Sequence, residues 1–536
     1  MNDKTRQPDK QSASDPGTRL GRRDVLKALA SIPAMALFVY ELLKKRAFDG
    51  LRKLNILSEL GAPMEAPAVV PPRASGELIR LGIIGYGGRG EHLTRGAGFA
   101  HSDWTERKAA DAKKNRLDKA FETFMKQQGL NVVINGVCDL FDVRAARVMA
   151  ASKNDLRPGA GTRTLTEARR YRHYTELLNS KDIDAVIVAT PDHWHSRITI
   201  DALEAGKHVY CEKCMTRTIE EAFAVRKAVK RTGNVFQLGH QNRQVETYEQ
   251  ARRIVESGIL GLVTLVEVTT NRNSPGGAWV WGIHPDGNPK TIDWQTFQQP
   301  SPNKVPFSLE RFFRWRCWYD YGTGLSGDLF SHEFDAFNQI MNVGIPKYAV
   351  ASGGIYRYKD GRDVPDVFQV TFEYPDKNLT LIYSSTLASG RNRGNLFMGH
   401  DATMQLGNEG SASSSPLSVT ADHQSTRFRQ KIDSGEISTS LPLFAYSPGS
   451  RQIDGITSAS AKYFASKGLV YTYRGGKRVD PTHLHIKDWL DGIRHGTTPR
   501  CNIDVGFEEA IACHMATKAF LEGRRVEWDS VNEKVI

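Results

Sequence analysis

At 536 residues the chain is longer than one simple hydrophobic core organises, so two domains are expected. Its 40% hydrophobic and 25% charged residues exclude a largely disordered chain. The formal net charge of +12 is concentrated near the N-terminus, where nine Lys and Arg face three acidic residues between Arg19 and Lys53. With no zinc-finger, RNP or forked basic-helix pattern, nucleic acid is excluded as the expected partner.

The first element is the stretch GRRDVLKALASIPAMALFVY, residues 21–40. Arg22 and Arg23 before an apolar run resemble the signal of the twin-arginine export route. The run from Ala28 to Tyr40 has 13 residues, short of the roughly 20 that span a bilayer. Ala34-Met35-Ala36 offers a weak cleavage site, and a buried N-terminal helix is the alternative. The expectation is an export signal or anchor over 1–45, with the protein periplasmic or held on the outer membrane face. The only membrane contact would be an uncleaved signal. Residues 46–77 read as a linker, Pro/Ala-rich over 61–76.

The strand Ile79–Ile84 then runs into Gly85-Tyr86-Gly87-Gly88-Arg89-Gly90 and a helix start. Glycines here allow a tight turn, close approach of a pyrophosphate, and packing of helix on strand. A second strand ends at Asp139, suited to the hydroxyls of an adenosine ribose. Its charge opposes a 2′-phosphate, which favours NAD over NADP. Asp139 lies 49 positions beyond Gly90 rather than about 20, with a helical insertion between. A simple loop-start carboxylate is the other reading of it.

Strands over 185–189 and KHVYCEK alternate with helices, which predicts a parallel, doubly wound sheet with its crevice at the strands' carboxyl ends. Asp139, Thr190, Pro191, His193, His195, Glu212 and Lys213 fall at such ends. Beside Gly85, Tyr86, Gly87, Gly88, Arg89 and Gly90, they are the expected cofactor contacts. Cys211 and Cys214 bracket Glu212-Lys213, so the stretch reads either as a redox dithiol or half a zinc site, or as a proton-handling lysine.

GIIGYGGRG, VCDLF, VIVATPDHWHSRITIDALEAGKHVYCEKCM and VFQLGHQNR follow one another in an order that resembles the Gfo/Idh/MocA oxidoreductases, from about Leu78 onward. The resemblance implies an N-terminal Rossmann domain and a C-terminal α/β domain on a large, open, mostly antiparallel sheet. The boundaries are then 78–238 for the nucleotide domain, 239–482 for the substrate and oligomerisation domain, and 483–536 for helices packing back on the first. It also implies hydride transfer between NAD(P) and a sugar or cyclitol, and a homodimer or homotetramer. The family's E-K-P falls on Glu212-Lys213-Cys214, with Cys214 replacing proline, and assigns the sulfurs no role. The family's D-x-x-x-H-x-x-D falls on Asp328, His332 and Asp335, whose spacing puts them on one helical face. Lys213, Asp328 and His332 are thus the expected catalytic residues. His332 would take the hydroxyl proton, and Lys213 would stabilise charge on the oxygen.

RFFRWRCWYDYG, 311–322, supplies Trp315, Trp318 and Tyr319 as candidate wall residues. Arg243 and Asp335 are further candidate substrate contacts. Beyond residue 239 alternating strands are expected, including a hairpin at YPDKN, with surface loops over 411–467 and helices near the end. Six cysteines show no disulfide framework and no zinc set, so no metal is expected. Three functions stay open: a sugar or cyclitol oxidoreductase with tightly held NAD, a glycoside hydrolase or epimerase working by transient ring oxidation, and a non-catalytic sugar-binding relative.

Overall fold

The computed structural model describes residues 76–536 other than 116–117, 154–164, 275, 392, 408–416, 447–453, 456–471 and 475–476, together with 40, 43, 44 and 58. The chain divides into two units, 1–56 and 57–536. In the first, Tyr40 and Leu43 are helical and exposed. All that follows concerns the second.

Six strands form a parallel sheet in the order β3-β2-β1-β4-β5-β6. They are β1 (Ile79–Ile84), β2 (Val132–Cys138), β3 (Arg169–Arg170), β4 (Ala185–Val188), β5 (His208–Cys211) and β6 (Phe236–Leu238). The strand order reverses direction between β1 and β4, and that is where a doubly wound sheet opens a crevice. β4 reads AVIV and is buried at every position, as a strand covered on both faces requires. The helices have legible ends: Thr218 and Glu221 form a capping box at the start of Ile219–Thr232, and Gly233 closes it at φ 69°. The helical insertion between glycine turn and Asp139 is the pair Ser102–Lys114 and Ala120–Met125.

The second sheet has eleven strands in the order β15-β14-β13-β12-β11-β7-β10-β9-β8-β18-β19. Its strands are β7 (Val263–Thr269), β8 (Tyr348–Gly354), β9 (Val367–Tyr374), β10 (Leu379–Thr386), β11 (Asn395–Gly399), β12 (Ala402–Leu406), β13 (Leu417–Ala421), β14 (Phe444–Tyr446), β15 (Asp454–Gly455), β18 (Val526–Asp529) and β19 (Lys534–Val535). A separate ribbon pairs β16 (Thr472–Arg474) with β17 (Lys477–Val479). Within this sheet, among the described strands, only β7 and β10 pair in parallel, and the other pairings are antiparallel. The fold is therefore a parallel Rossmann-like sheet followed by a mixed, mostly antiparallel one. YPDKN forms the β9–β10 hairpin, with Asn378 in the left-handed region at φ 51°.

Three expectations change. Residues 417–421 and 444–446 are sheet strands rather than loop: the first buries alternate residues, the second all three, and they pair antiparallel with each other. The C-terminal stretch is not all helical: after Pro481–His495 and Ile503–Glu522 the chain ends in β18, paired to β8 at the edge of the second sheet. The exported or outer-face placement is also corrected. Among the described residues no helix is long and apolar enough to cross a membrane. The motif behind that expectation, residues 22–39, lies outside the described residues.

The helix Pro481–His495 ties the chain's end to the first sheet. Trp489, Ile486 and Leu490 enter the same core as Tyr210 and Ile187. Gln237 Nε2 donates to the His485 carbonyl at 2.6 Å, and Arg494 Nη2 to the Leu130 carbonyl at 2.7 Å. The stretch from 270 to 325 crosses the other way, over the carboxyl ends of the strands. Asp142 N donates to the Thr291 carbonyl at 2.9 Å, His193 N to the Tyr321 carbonyl at 3.2 Å, and Phe141 packs edge-on against Phe312 and Phe313.

Candidate active site

Beneath that crossing stretch lies a cavity of about 640 Å³, well inside the range of small-molecule sites. It runs from the glycine turn to the helix Ser331–Met341. At the turn, Gly85 has φ 88°, and a Cβ there would lie 2.7 Å from the Ala189 carbonyl oxygen. A Cβ on Gly90 would lie 2.3 Å from the Gly85 oxygen, so this glycine serves helix–strand packing. Gly87 and Gly88 differ: a Cβ on either meets nothing within 4 Å. Their open side faces the cavity at the start of the helix Gly88–Ala97, where unpaired backbone N–H groups suit an anion.

Asp139 lines the same end. Its oxygens accept from Tyr86 N at 2.6 Å and Phe141 N at 2.8 Å, so the carboxylate fixes the glycine turn as well as facing the cavity. Burial raises its pKa above the ordinary carboxylate value. Arg89 is fully occupied: Nε donates to Glu212 at 2.7 Å, Nη2 to Gln241 at 2.7 Å, and Nη1 contacts His92 at 3.1 Å. Arg144 instead lies over the rings of Phe141, Phe312 and Phe313.

The other end gathers groups far apart in sequence. Lys213 Nζ donates to the Asp328 carbonyl at 2.7 Å and to Asp328 Oδ1 at 2.8 Å. Arg316 Nε donates to the same Oδ1 at 2.8 Å, and Trp279 Nε1 to Oδ2 at 2.9 Å. Burial opposes ionisation of both members of the Lys213–Asp328 pair. Their mutual attraction outweighs it: the lysine pKa goes up against the opposing charge of Arg316, and the carboxyl, with Arg316 helping, is held well below the usual range. Lys213 is therefore an ammonium at neutral pH. Asp328 sits in a short π-helical turn, Ser326–Phe330, that feeds the helix carrying His332. Burial, then Lys213 and His240, push His332 well below its ordinary pKa, so it is a neutral imidazole. Its ring meets that of His240 edge-on, with centroids 5.3 Å apart. The Lys213–Cys214 peptide is cis. All six cysteines are free and buried, and among the described residues no group of His, Cys, Asp and Glu could hold a metal ion.

Of the expected residues, Gly85, Gly87, Gly88, Arg89, Asp139, Thr190, Pro191, Glu212, Lys213, Asp328 and His332 line the cavity. The rest stand elsewhere. Tyr86 turns its ring into the sheet's core, and Gly90 packs under the turn. His193 contacts the Phe297 carbonyl at 2.7 Å, and burial drops its pKa to about 3. His195 bridges the carbonyls of Cys214 and Thr190 at 2.5 and 2.8 Å, bracing the lysine loop from behind. Arg243 and Asp335 form a buried pair at 2.5 Å, so each is spent on the other, and neither lines the cavity. Trp318 borders a separate cleft of about 340 Å³, and the Tyr319 ring packs against Gly324. Trp315 does reach the cavity.

Sequence reading missed Arg272, Trp279, Trp281 and Arg316, and left Asp192 unassigned, although all five line the cavity. The available signal was the pair of tryptophans in GGAWVWG, an unusual composition for a turn region.

Residues 79–240 match the Gfo/Idh/MocA family profile, described as an oxidoreductase family with an NAD-binding Rossmann fold. Levoglucosan dehydrogenase of Pseudarthrobacter phenanthrenivorans is 28% identical over 191 residues, covering 34% of this chain and 41% of that protein. An alpha-N-acetylgalactosaminidase of Shewanella oneidensis is 28% identical over 222 residues, covering 39% and 37%. The chain thus spans about two fifths of the length of the curated relatives it matches. Among solved structures, a levoglucosan dehydrogenase with NADH and levoglucosan superposes with TM-score 0.54 at 18% identity, over 84% of this chain and 99% of that one. A WlbA dehydrogenase of Chromobacterium violaceum, in complex with NADH and UDP-GlcNAcA, gives 0.52 at 15%, over 86% and 99%. These structures share the two-sheet fold. The similarity of this chain to the Gfo/Idh/MocA oxidoreductase family thus lies in its nucleotide-fold portion, residues 79–240.

Proposed function

We propose that the protein is an NAD-dependent oxidoreductase that transfers hydride at a hydroxyl-bearing carbon of a sugar or cyclitol. The observation that carries this is the single cavity joining the open face of Gly87 and Gly88 to Lys213, Asp328 and His332. The glycine cradle fits a dinucleotide: a side chain at Gly87 or Gly88 would fill the space a pyrophosphate needs, and the helix start supplies N–H donors. Gly85, Gly87, Gly88, Arg89, Asp139, Thr190, Pro191 and Glu212 would hold it. Asp139 favours NAD over NADP by charge. A bound nicotinamide supplies the hydride acceptor or donor.

On this reading His332, neutral and buried, accepts the hydroxyl proton as hydride departs. Lys213 stays charged and stabilises negative charge on the substrate oxygen. Asp328 holds Lys213 in place and is itself held by Arg316 and Trp279. Residues 78–238 act as the nucleotide domain, 239–482 as the substrate domain, and 483–536 close back on the first. The open face of the large sheet, where Val350 is exposed, suits pairing into a homodimer or homotetramer, read by light scattering. Purified protein should release NAD on denaturation and reduce or oxidise it with a sugar or cyclitol panel; no nucleotide binding at all would overturn the reading.

The likeness to a glycosidase supports a second reading, glycoside cleavage by transient oxidation of a ring carbon. Release of an aglycone from a nitrophenyl glycoside without net change in NADH would favour it over the first.

A further inference from the structure

Among the described residues every guanidinium and ammonium of the cavity has a partner or a ring against it except that of Arg272. Arg89 uses all three of its nitrogens, and Arg144 covers aromatic rings. At the catalytic end, Arg316 spends only Nε on Asp328, and its two terminal nitrogens make no hydrogen bond among the described residues. Its guanidinium is fixed flat by the Trp315 ring, 4.1 Å below. Arg272 lines the same end and forms no ion pair among the described residues. Its backbone is anchored where β7 ends, Arg272 N donating to the Thr386 carbonyl at 2.9 Å, and its side chain is exposed to the cavity's solvent. It acts through space on Asp328 and Glu333.

Lys213 and Arg316 therefore share one carboxylate, Asp328, while Arg272 lines the same end of the cavity and acts on that carboxylate through space. The other acids nearby do not balance them. Asp192 accepts from Thr323 Oγ1 at 2.8 Å, Glu333 is bound by Thr270 and Asn395, and burial pushes both toward the protonated form. Oxidation of an alcohol would place a further positive charge, the oxidised nicotinamide, in the same space. A planar guanidinium with free terminal nitrogens is the side chain best matched to the oxygens of a carboxylate or phosphate.

We propose that the substrate is an anionic sugar derivative, whose oxyanion is received by Arg272 and the free nitrogens of Arg316 beside the Lys213–Asp328 pair. This rests on the oxidoreductase reading and names its substrate class. The oxyanion is a carboxylate, as in a sugar acid, or a phosphate ester.

The test is calorimetric titration of the NADH-loaded protein with glucuronate, galacturonate, gluconate and glucose 6-phosphate, against glucose and galactose. At least one anionic probe should bind tenfold or more tighter than its neutral counterpart, with that preference shrinking as salt rises. Which probes bind separates carboxylate from phosphate. In Arg272→Gln the ratio of anionic to neutral affinity should fall close to one while the melting temperature holds. The proposal is overturned if no anionic probe binds better than its neutral counterpart, or if Arg272→Gln weakens both alike. Because the readout is binding, it is distinct from the oxidoreductase reading: turnover of neutral sugars with no anion preference defeats only the inference, whereas anion binding without hydride transfer defeats only the activity.

Discussion

Lys213 and Asp328, 115 residues apart in sequence, are joined twice: the ammonium donates to the aspartate's backbone carbonyl at 2.7 Å and to its carboxylate at 2.8 Å. The double contact fixes where the charge sits. Replacing Lys213 with Ala should therefore cut turnover by about two to four orders of magnitude, while NADH affinity by fluorescence titration changes little. Near-normal turnover would remove Lys213 from the mechanism.

Asp328 satisfies two buried or half-buried cations at once. Asp328→Ala leaves both without a carboxylate, and should destabilise the fold by about 3–5 kcal/mol in urea melts, with Asp328→Asn milder. The pH dependence follows from the depressed carboxyl. Its stabilising contribution is present above the unfolded value of about 3.9 and is lost as pH falls below it. The melting difference between wild type and Asp328→Asn should begin to shrink below about pH 4 and go on shrinking as the pH falls further.

His332 is held neutral by burial and by the charges of Lys213 and His240. As a base it is then competent well below its ordinary pKa of about 6.5, so the acid limb of kcat/KM for alcohol oxidation should lie on the acid side of that value. His332→Gln should abolish the limb along with most turnover. The folded pKa is lower than the unfolded one, so the stability tied to neutral His332 is present above about pH 6.5 and declines below it.

Gly87 and Gly90 should separate nucleotide binding from folding. Gly90→Ala drives a methyl to 2.3 Å from the Gly85 oxygen and should lower stability by about 1–3 kcal/mol. Gly87→Ala meets no protein atom within 4 Å and should leave the melting point nearly unchanged while weakening NADH binding. Equal effects on both would contradict a dinucleotide in this cradle.

Asp139 both faces the cavity and fixes the backbone of Tyr86 and Phe141. Asp139→Ser should lower affinity for NADH and narrow its advantage over NADPH, measured side by side by fluorescence titration. An unchanged ratio would assign the carboxylate to the turn alone.

Local sequence carried much of the nucleotide end. Apolar runs of four to six residues, glycines where backbone crowds backbone, and a carboxylate closing a strand report themselves without knowledge of their neighbours, because each answers to its own few residues. His193 and His195 show the limit of that reading: both fall at a strand end, as a contact residue would, yet their rings turn to main-chain carbonyls behind the wall. A strand end places a residue near the crevice, but only its rotamer and partners decide which way it faces. Asp335 shares the helical spacing of Asp328 and His332, yet a buried Arg243 takes its carboxylate and it does not line the cavity.

What the sequence determined by itself was the parallel sheet and the glycine cradle, since periodicity and turn chemistry are local properties; the pairing of a lysine loop with a distant Asp–His helix came only as what the family resemblance implies. The tertiary structure decided the cavity's roof and its charge. Arg272, Trp279, Trp281 and Arg316 belong to a stretch without regular period, and they become a site only because residues 270–325 hydrogen-bond and pack across the strand ends. Two cations sharing one carboxylate, with Arg272 beside them in the cavity wall, is a property of distances between chain segments, and no window of sequence contains it.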